Sequence, residues 1–148
     1  MKKIHLIKIF VIYLFFFSIG NATQQDYYEE GIKLYKEKKF DESKVLFERD
    51  IVFNPSNEKS YLYLAKIFNG KNKEEEEEVN LNNTILLNPQ NDEAVYMLTI
   101  LKIKQSDYNK AKELIEQFNL ICKNFCFKKE EIEEKFKKLT PENAKNSN

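Results

Sequence analysis

Glycine and histidine are scarce in this sequence, and each shortage excludes a class of protein. Three glycines and three prolines among 148 residues are too few for a turn-rich β fold, and they suit helices joined by short connections. The sole histidine is His5, so the chain beyond residue 22 has none to act as a general base or to bind zinc. Gly31 and Gly70, the glycines beyond residue 22, form no phosphate-binding loop, and the many carboxylates show no recognisable acid–base spacing. The sequence therefore predicts no enzyme, no cofactor site and no metal site.

The N-terminal segment, residues 1–22, has the pattern of an export signal. A basic start, Met1-Lys2-Lys3, precedes the almost wholly apolar residues 4–19, and Gly20-Asn21-Ala22 supplies small residues for signal cleavage. The uninterrupted apolar part, residues 9–17, is shorter than the ~20 residues of a membrane-spanning helix. We expect a cleaved signal over residues 1–22, with an uncleaved anchor through residues 4–19 as the alternative. Both place the remaining chain outside the cytoplasm, in the periplasm or cell envelope of a bacterium.

The charge balance gives no support to nucleic-acid binding. Removal of Lys2, Lys3 and Lys8 from the 24 basic residues leaves 21 against 24 acidic residues. Nucleic-acid partners require a basic face.

An internal repeat is the most informative feature. Asn54-Pro55 recurs as Asn88-Pro89, and this spacing divides the chain into three blocks of equal length, 24–57, 58–91 and 92–125. Equivalent places hold small residues and aromatic residues: Gly31, Ala65 and Thr99; Ser43 and Ala111; Phe40 and Tyr108. This pattern resembles the tetratricopeptide repeat family over residues 24–125, whose repeats have a period of ~34 residues. The resemblance implies an all-α, right-handed superhelical array of antiparallel helical hairpins, in which small residues allow close helix contact and proline stops the second helix of a hairpin.

The second block departs from the pattern. Glu74 and Glu77 stand where an aromatic residue and a small residue are expected. The surrounding charge run, residues 73–78, is interpreted as the solvated start of a helix, because acidic residues are favoured at a helix N-terminus. A calcium site over residues 74–78 is the alternative, but consecutive acids on a helix point in different directions.

A terminal helix and two cysteines follow the repeats. Apolar residues spaced among lysines and glutamates predict a helix over residues 127–139 that caps the open end of the array, followed by a disordered tail at residues 140–148. Cys122 and Cys126 are interpreted as a structural disulfide, since cysteines pair outside the cytoplasm. Two reduced, buried thiols remain the alternative, and redox or metal chemistry is a further one.

The resemblance implies a concave groove lined by the first helix of each hairpin. The residues at groove positions are Tyr28, Ile32, Tyr35, Leu62, Lys66, Tyr96, Ile100 and Ile103. Some relatives clamp a C-terminal carboxylate with lysine, asparagine and arginine, whereas the corresponding places here hold Tyr28, Ile32, Tyr63, Glu93 and Met97. A largely apolar, aromatic stripe suits an extended apolar segment or an amphipathic helix of a partner protein, although these side chains could instead fill the groove themselves.

These observations together predict a non-catalytic scaffold in the periplasm or cell envelope that binds another protein in its groove. The alternative is a structural subunit that forms homo-oligomers. A redox protein that uses Cys122 and Cys126 is a third hypothesis. A membrane tether is expected only through residues 4–19, and only if the signal is not cleaved.

Overall fold

The computed structural model describes residues 26–139, and within this range the chain is helical without strands. The helices run in order as α1 (Tyr27–Lys36), α2 (Phe40–Phe53), α3 (Glu58–Gly70), α4 (Glu74–Leu87), α5 (Asp92–Lys104), α6 (Tyr108–Ile121), a 3₁₀ turn (Cys126–Lys128) and α7 (Lys129–Leu139). The predicted export signal at residues 1–22 and the predicted tail at residues 140–148 lie outside the described residues. No helix among those described is both long enough and apolar enough to cross a membrane.

The first six helices form three hairpins, α1–α2, α3–α4 and α5–α6, and each hairpin packs on the next. Contacts between α2 and α3 and between α4 and α5 join the hairpins, and α7 packs on α5 and α6. The predicted all-α array of antiparallel hairpins with a C-terminal capping helix is therefore confirmed.

Each hairpin turns through one residue in a left-handed conformation. These residues are Lys38, Asn72 and Ser106, with φ of 62°, 55° and 60°, and they occupy the same place in the three blocks. The amide of the next residue donates to a carbonyl five residues earlier, as in Lys39 N to Leu34 O at 3.0 Å. This bond satisfies a carbonyl at the helix end that would otherwise lack a partner. Turns of the same geometry thus repeat at the period seen in the sequence.

The first hairpin is held together at Gly31. A Cβ atom on Gly31 would lie 2.8 Å from Cε1 of Phe47, closer than packed carbon atoms tolerate. The hydroxyl of Ser43 donates to the Gly31 carbonyl at 2.9 Å. The small residues at these two places therefore allow α1 and α2 to approach closely.

Glu77 corrects the interpretation of the acidic run as a wholly solvated face. The run does start α4, but the side chain of Glu77 is 2 % exposed. Asn69 of α3 donates to its carboxylate at 2.9 Å, which satisfies part of the buried group. Burial raises the pKa of Glu77, and the bond from Asn69 and the charge of Lys104 oppose that rise only in part.

The open end of the array is covered by α7. Ile132 is 1 % exposed and joins the core formed by the second and third hairpins. Phe136 contacts that core as well, and its ring lies 6.3 Å from the ring of Tyr108 at the start of α6. The apolar side of α7 thus meets the last hairpin while its charged side faces solvent.

Candidate peptide-binding groove

The first helices of the three hairpins, α1, α3 and α5, supply the predicted groove residues. Ion pairs and ring contacts link side chains of these helices to one another. Lys66 of α3 lies 2.8 Å from Glu93 of α5, and Tyr28 of α1 lies 6.3 Å from Tyr63 of α3 between ring centroids. The three helices therefore share one face of the array.

At the α1 end, aromatic side chains fill much of this face. The ring of Tyr63 lies 4.9 Å from that of Tyr35 and stacks on that of Phe47 at 5.1 Å. Tyr28 packs on Phe47 at 6.0 Å. Burial, together with the neighbouring Tyr63 and nearby acidic groups, raises the pKa of Tyr28 to about 12. Tyr28 and Tyr35, two of the predicted groove residues, are half-buried in this cluster.

At the α5 end, the predicted residue Tyr96 is covered by the capping segment. Its hydroxyl donates to Glu131 at 3.1 Å, and the ammonium of Lys128 lies 5.4 Å from its ring centroid. Glu131 also pairs with Lys128 and Lys135 at 2.6 and 2.9 Å. Hydrogen bonds from these lysines lower the pKa of Glu131 to about 2, despite the opposing effect of burial.

The aliphatic groove residues lie deeper than expected. Ile103 is 3 % exposed within the core of the second and third hairpins, so the structure corrects its assignment to the groove lining. Leu62 is 7 % exposed and forms part of the groove floor. Ile32 and Ile100 are half-buried, each packed against a core cluster. The predicted aliphatic groove residues therefore mainly pack against the core, as apolar residues at helical spacing usually do.

An open cavity of about 350 Å³ lies towards the N-terminal ends of α1, α3 and α5, beside the connections between hairpins. Of the predicted residues, Tyr28, Leu62 and Lys66 line it. Lys66 is held by its ion pair with Glu93, and its ammonium lies 4.8 Å from the ring centroid of Tyr63. The cavity therefore presents a fixed charge pair beside an aromatic ring.

Much of the cavity lining comes from residues that sequence reasoning did not assign to the groove. They belong to the ends of helices and to the connections between hairpins: Glu58, Asn88, Gln90, Asn91, Asp92, Asn124 and Phe125. The sequence did contain a pattern that points to Asn91, because Asn57 and Asn91 follow the two repeated Asn-Pro pairs at the same distance. Both asparagines cap the next helix, accepting from Lys59 N and Ala94 N. These connections make the cavity more polar than the predicted stripe.

One wall of the cavity is the loop between the two cysteines, which are bonded to each other. The three residues between them all donate backbone N–H groups to one carboxylate oxygen of Asp92, at 2.7, 2.7 and 3.0 Å. Burial alone would raise the pKa of Asp92, but these backbone hydrogen bonds outweigh it and lower the pKa. The carboxylate and the disulfide together fix the loop that carries Asn124 and Phe125.

Within residues 26–139, no three His, Cys, Asp or Glu side chains converge as metal ligands would. The acidic run supplies ion pairs instead. Glu74 pairs with Lys104 at 2.8 Å, and Glu78 pairs with Lys102 at 2.5 Å. The glutamates of α4 thus tie the second hairpin to the third.

Solved structures of known proteins have the same architecture. The first TPR of Spaghetti (RPAP3), bound to the HSP90 peptide SRMEEVD, has a TM-score of 0.69 at 20% identity, covering 82% of this chain and 98% of its own. The CopN-Scc3 complex contains a chain with a TM-score of 0.64 at 20% identity, covering 80% of this chain and 72% of its own. The Sgt2 TPR domain from Aspergillus fumigatus has a TM-score of 0.64 at 15% identity, covering 80% and 82%.

Neither a protein-family model nor a curated protein sequence matches the chain. The likeness is therefore one of three-dimensional structure at low sequence identity. It agrees with the period of the sequence, the left-handed turn residues at that period and the packed hairpins described above. This protein has the tetratricopeptide repeat fold, a right-handed α-solenoid closed by a capping helix.

Proposed function

We propose that this chain is a non-catalytic adaptor of the periplasm or cell envelope that holds a peptide segment of another protein in the cavity between α1, α3 and α5. The observation that carries the proposal is the cavity itself, which stays open between two filled ends of the same face. The TPR of Spaghetti (RPAP3), which shares the fold, is bound to a peptide. A peptide is the class of ligand that such a face suits.

The lining favours an extended segment recognised through its backbone. Asn88, Gln90 and Asn124 bring amide groups that can both donate to and accept from peptide units. Leu62 and Phe125 supply apolar contact area beside them. Such a cavity fits polypeptide chains of mixed composition better than a purely apolar helix.

A free C-terminal carboxylate is not the preferred feature of the ligand. The five clamp positions hold two tyrosines, Ile32, Glu93 and Met97, and of the two lysines that line the cavity, exposed Lys59 and half-buried Lys66, Lys66 is already paired with Glu93. An incoming carboxylate would have to compete with Glu93 for that lysine. We therefore expect binding to an internal segment of the partner.

The test is photo-crosslinking from the cavity rim in living cells. A photoreactive residue at Gln90, which is exposed on the rim, should trap one discrete partner. The matched control carries it at Lys112, an exposed position on α6 away from the cavity, and should not trap that partner. Asn124→Trp, which places a bulky ring into the cavity, should abolish the Gln90 adduct while the circular dichroism of the chain stays unchanged. Equal adducts from both positions, or none from Gln90, would refute the proposal.

Export rests on the pattern of residues 1–22, and cell fractionation tests it. We expect the chain in the periplasmic or envelope fraction. A mature N-terminus close to residue 23 supports cleavage, whereas an intact Met1 in the membrane fraction supports the anchor. Recovery of the chain in the cytosol would contradict both.

A row of exposed aliphatic residues favours homo-oligomerisation as a second candidate. Val52, Leu86 and Leu120 occupy equivalent places on the second helices of the three hairpins and are 74, 78 and 88 % exposed. Exposed apolar side chains in a row are typical of contact surfaces. Sedimentation of the purified chain decides this point: a concentration-dependent oligomer that Leu120→Lys dissociates supports the structural subunit, and a monomer at all concentrations rejects it.

A further inference from the structure

A second cavity lies on the opposite side of the array, between the second helices α2 and α4. It has a volume of about 410 Å³ and an apolar lining formed by Ile51, Leu64, Phe68 and Val79, of which Leu64 and Phe68 are buried and Val79 is 54 % exposed. Glu48, Glu75, Glu76 and Asn80 form its rim. None of these residues lines the cavity between the first helices, which we call the inner cavity. We call this cavity the outer groove.

The outer groove is not an unavoidable result of stacking hairpins, because the next gap between second helices keeps only two of the four apolar side chains, as Ile85 and Leu98. In the register of the repeat, Lys102 takes the place of Phe68 and Glu113 takes the place of Val79. Lys102 reaches Glu78 at 2.5 Å, with only 12 % of its side chain exposed, so an ion pair occupies the equivalent position between α4 and α6. The second of the two gaps between second helices therefore has charged side chains in place of half of this apolar lining.

The two helices that border the outer groove carry the acidic excess of the described chain. Together α2 and α4 contain nine acidic and two basic residues. Each of the other five α-helices is balanced to within one charge. On the rim, Glu48 and Glu76 pair with lysines of their own helices or helix ends, and Glu75 is exposed. Three more of the nine acids, Asp41, Glu74 and Glu78, pair with lysines outside α2 and α4. A bound segment would therefore meet apolar contacts below and, at the rim, the exposed carboxylate of Glu75.

We propose that the outer groove docks a basic amphipathic helix of a partner protein. A helix in a groove presents apolar side chains at a spacing of three and four residues to the floor. Lysine or arginine residues on its flanks would face Glu75 and Glu48, where electrostatic complementarity speeds association and sets orientation. A bacterial membrane surface is the less suitable occupant, because anionic lipid headgroups would be repelled by these helices.

The test measures binding of a fluorescein-labelled peptide of leucine and lysine in amphipathic helical order. Its 14 residues match the length of α2. The purified full-length chain is kept in an uncharged detergent, and anisotropy is compared with that of detergent alone. Wild-type protein should bind this peptide, more weakly as salt is raised, because exposed charges are screened. A peptide with glutamate in place of every lysine should not bind.

Variants of exposed side chains locate the binding. Val79→Lys places a cation in the apolar lining of the groove and should weaken binding about tenfold, as the loss of a central apolar contact does in other interfaces. Glu75→Lys should weaken binding and reduce its dependence on salt. Asn119→Lys adds a cation to an exposed position of α6 outside the groove lining and should leave affinity within about twofold, as exposed surface charges change affinity little.

Each other result counts against the proposal. It is wrong if the wild-type protein does not bind the basic peptide, if the acidic peptide binds as well, or if Val79→Lys and Asn119→Lys behave alike. Sedimentation that shows a homodimer dissociated by Val79→Lys would assign the groove to a second copy of this chain instead. Binding to vesicles of anionic lipid that Val79→Lys abolishes would assign it to membranes. Crosslinking from Gln90 in the inner cavity should be unaffected by Val79→Lys, so failure here is distinct from failure of the proposed adaptor function.

Discussion

Replacement of Asp92 tests how the loop that bounds the inner cavity is held. In Asp92→Ala, the three backbone N–H groups of residues 123–125 lose their shared acceptor. Hydrogen bonds to a charged group contribute about 1.5–3 kcal/mol each, but three bonds to one partly solvated oxygen do not add in full. We therefore expect a loss of about 2–4 kcal/mol in the free energy of unfolding. Asp92→Asn retains an acceptor oxygen without the charge and should lose less.

The assay is urea denaturation at neutral pH with the disulfide intact, and Asp107 supplies the matched control. Asp107 also lies at the start of a helix, but its carboxylate accepts a single backbone bond, from Lys110 N at 3.2 Å, and it is exposed. Loss of such a cap costs about 1 kcal/mol. If Asp92→Ala is no more destabilising than Asp107→Ala, the three hydrogen bonds to Asp92 do not hold the loop in place.

The pH dependence gives an independent check with a definite sign. The pKa of Asp92 in the folded protein lies below its ordinary value of 3.8. An acid whose pKa is lowered by folding stabilises the protein above the unfolded pKa, and this contribution is lost as pH falls through the folded pKa. The stability difference between wild type and Asp92→Ala should thus be constant above pH ~5 and shrink below pH ~3.8. A difference that grows with acidity would contradict the assignment. Because Asn124 and Phe125 line the inner cavity, Asp92→Ala should also weaken partner crosslinking from Gln90.

Four further substitutions probe the repeat itself. Gly31→Ala should lower the free energy of unfolding by about 1–3 kcal/mol, because the new Cβ would overlap Phe47. Gly70→Ala should stabilise the chain by up to about 1 kcal/mol, because a Cβ added there would meet no neighbouring side chain within 4 Å. Equal melting temperatures for the two variants would contradict the close approach of Gly31 to Phe47. Ser106→Gly should raise the melting temperature, since φ of 60° costs a residue with a side chain about 1–2 kcal/mol and glycine adopts it freely; an unchanged or lower value would contradict this. Burial raises the pKa of Glu77 above its ordinary 4.5, so wild type should gain stability as pH falls from neutral towards that value, and urea titrations of Glu77→Gln should lack that gain.

The sequence predicted the architecture well because equivalent helices pack in the same way in each repeat, so similar residue types recur at equivalent positions. The two Asn-Pro pairs set the period, and the small residues Gly31, Ala65 and Thr99 mark the places where helices meet closely. All three are buried in the structure. Glu77 shows where such reasoning fails. A carboxylate at a place for a small residue suggested a solvated helix, but Asn69 on the facing helix supplies a hydrogen bond that allows burial. Asn69 and Glu77 lie on different helices, so the residue pattern within either helix does not predict their hydrogen bond.

The binding face was harder to predict because the same residue types serve packing and recognition. Tyr28, Tyr35 and Tyr96 have the size and polarity of recognition residues, yet the first two pack with Phe47 and Tyr63, and α7 covers the third. Which surface stays open depends on the side chains that lie between neighbouring helices. In this chain those side chains produce two kinds of open surface. The inner cavity is bounded by polar connections, and the outer groove stays apolar because Phe68 and Val79 stand where the next repeat has Lys102 and Glu113. The differences between neighbouring repeats at equivalent positions therefore point to a binding surface. A consensus sequence of the repeats would average these differences out.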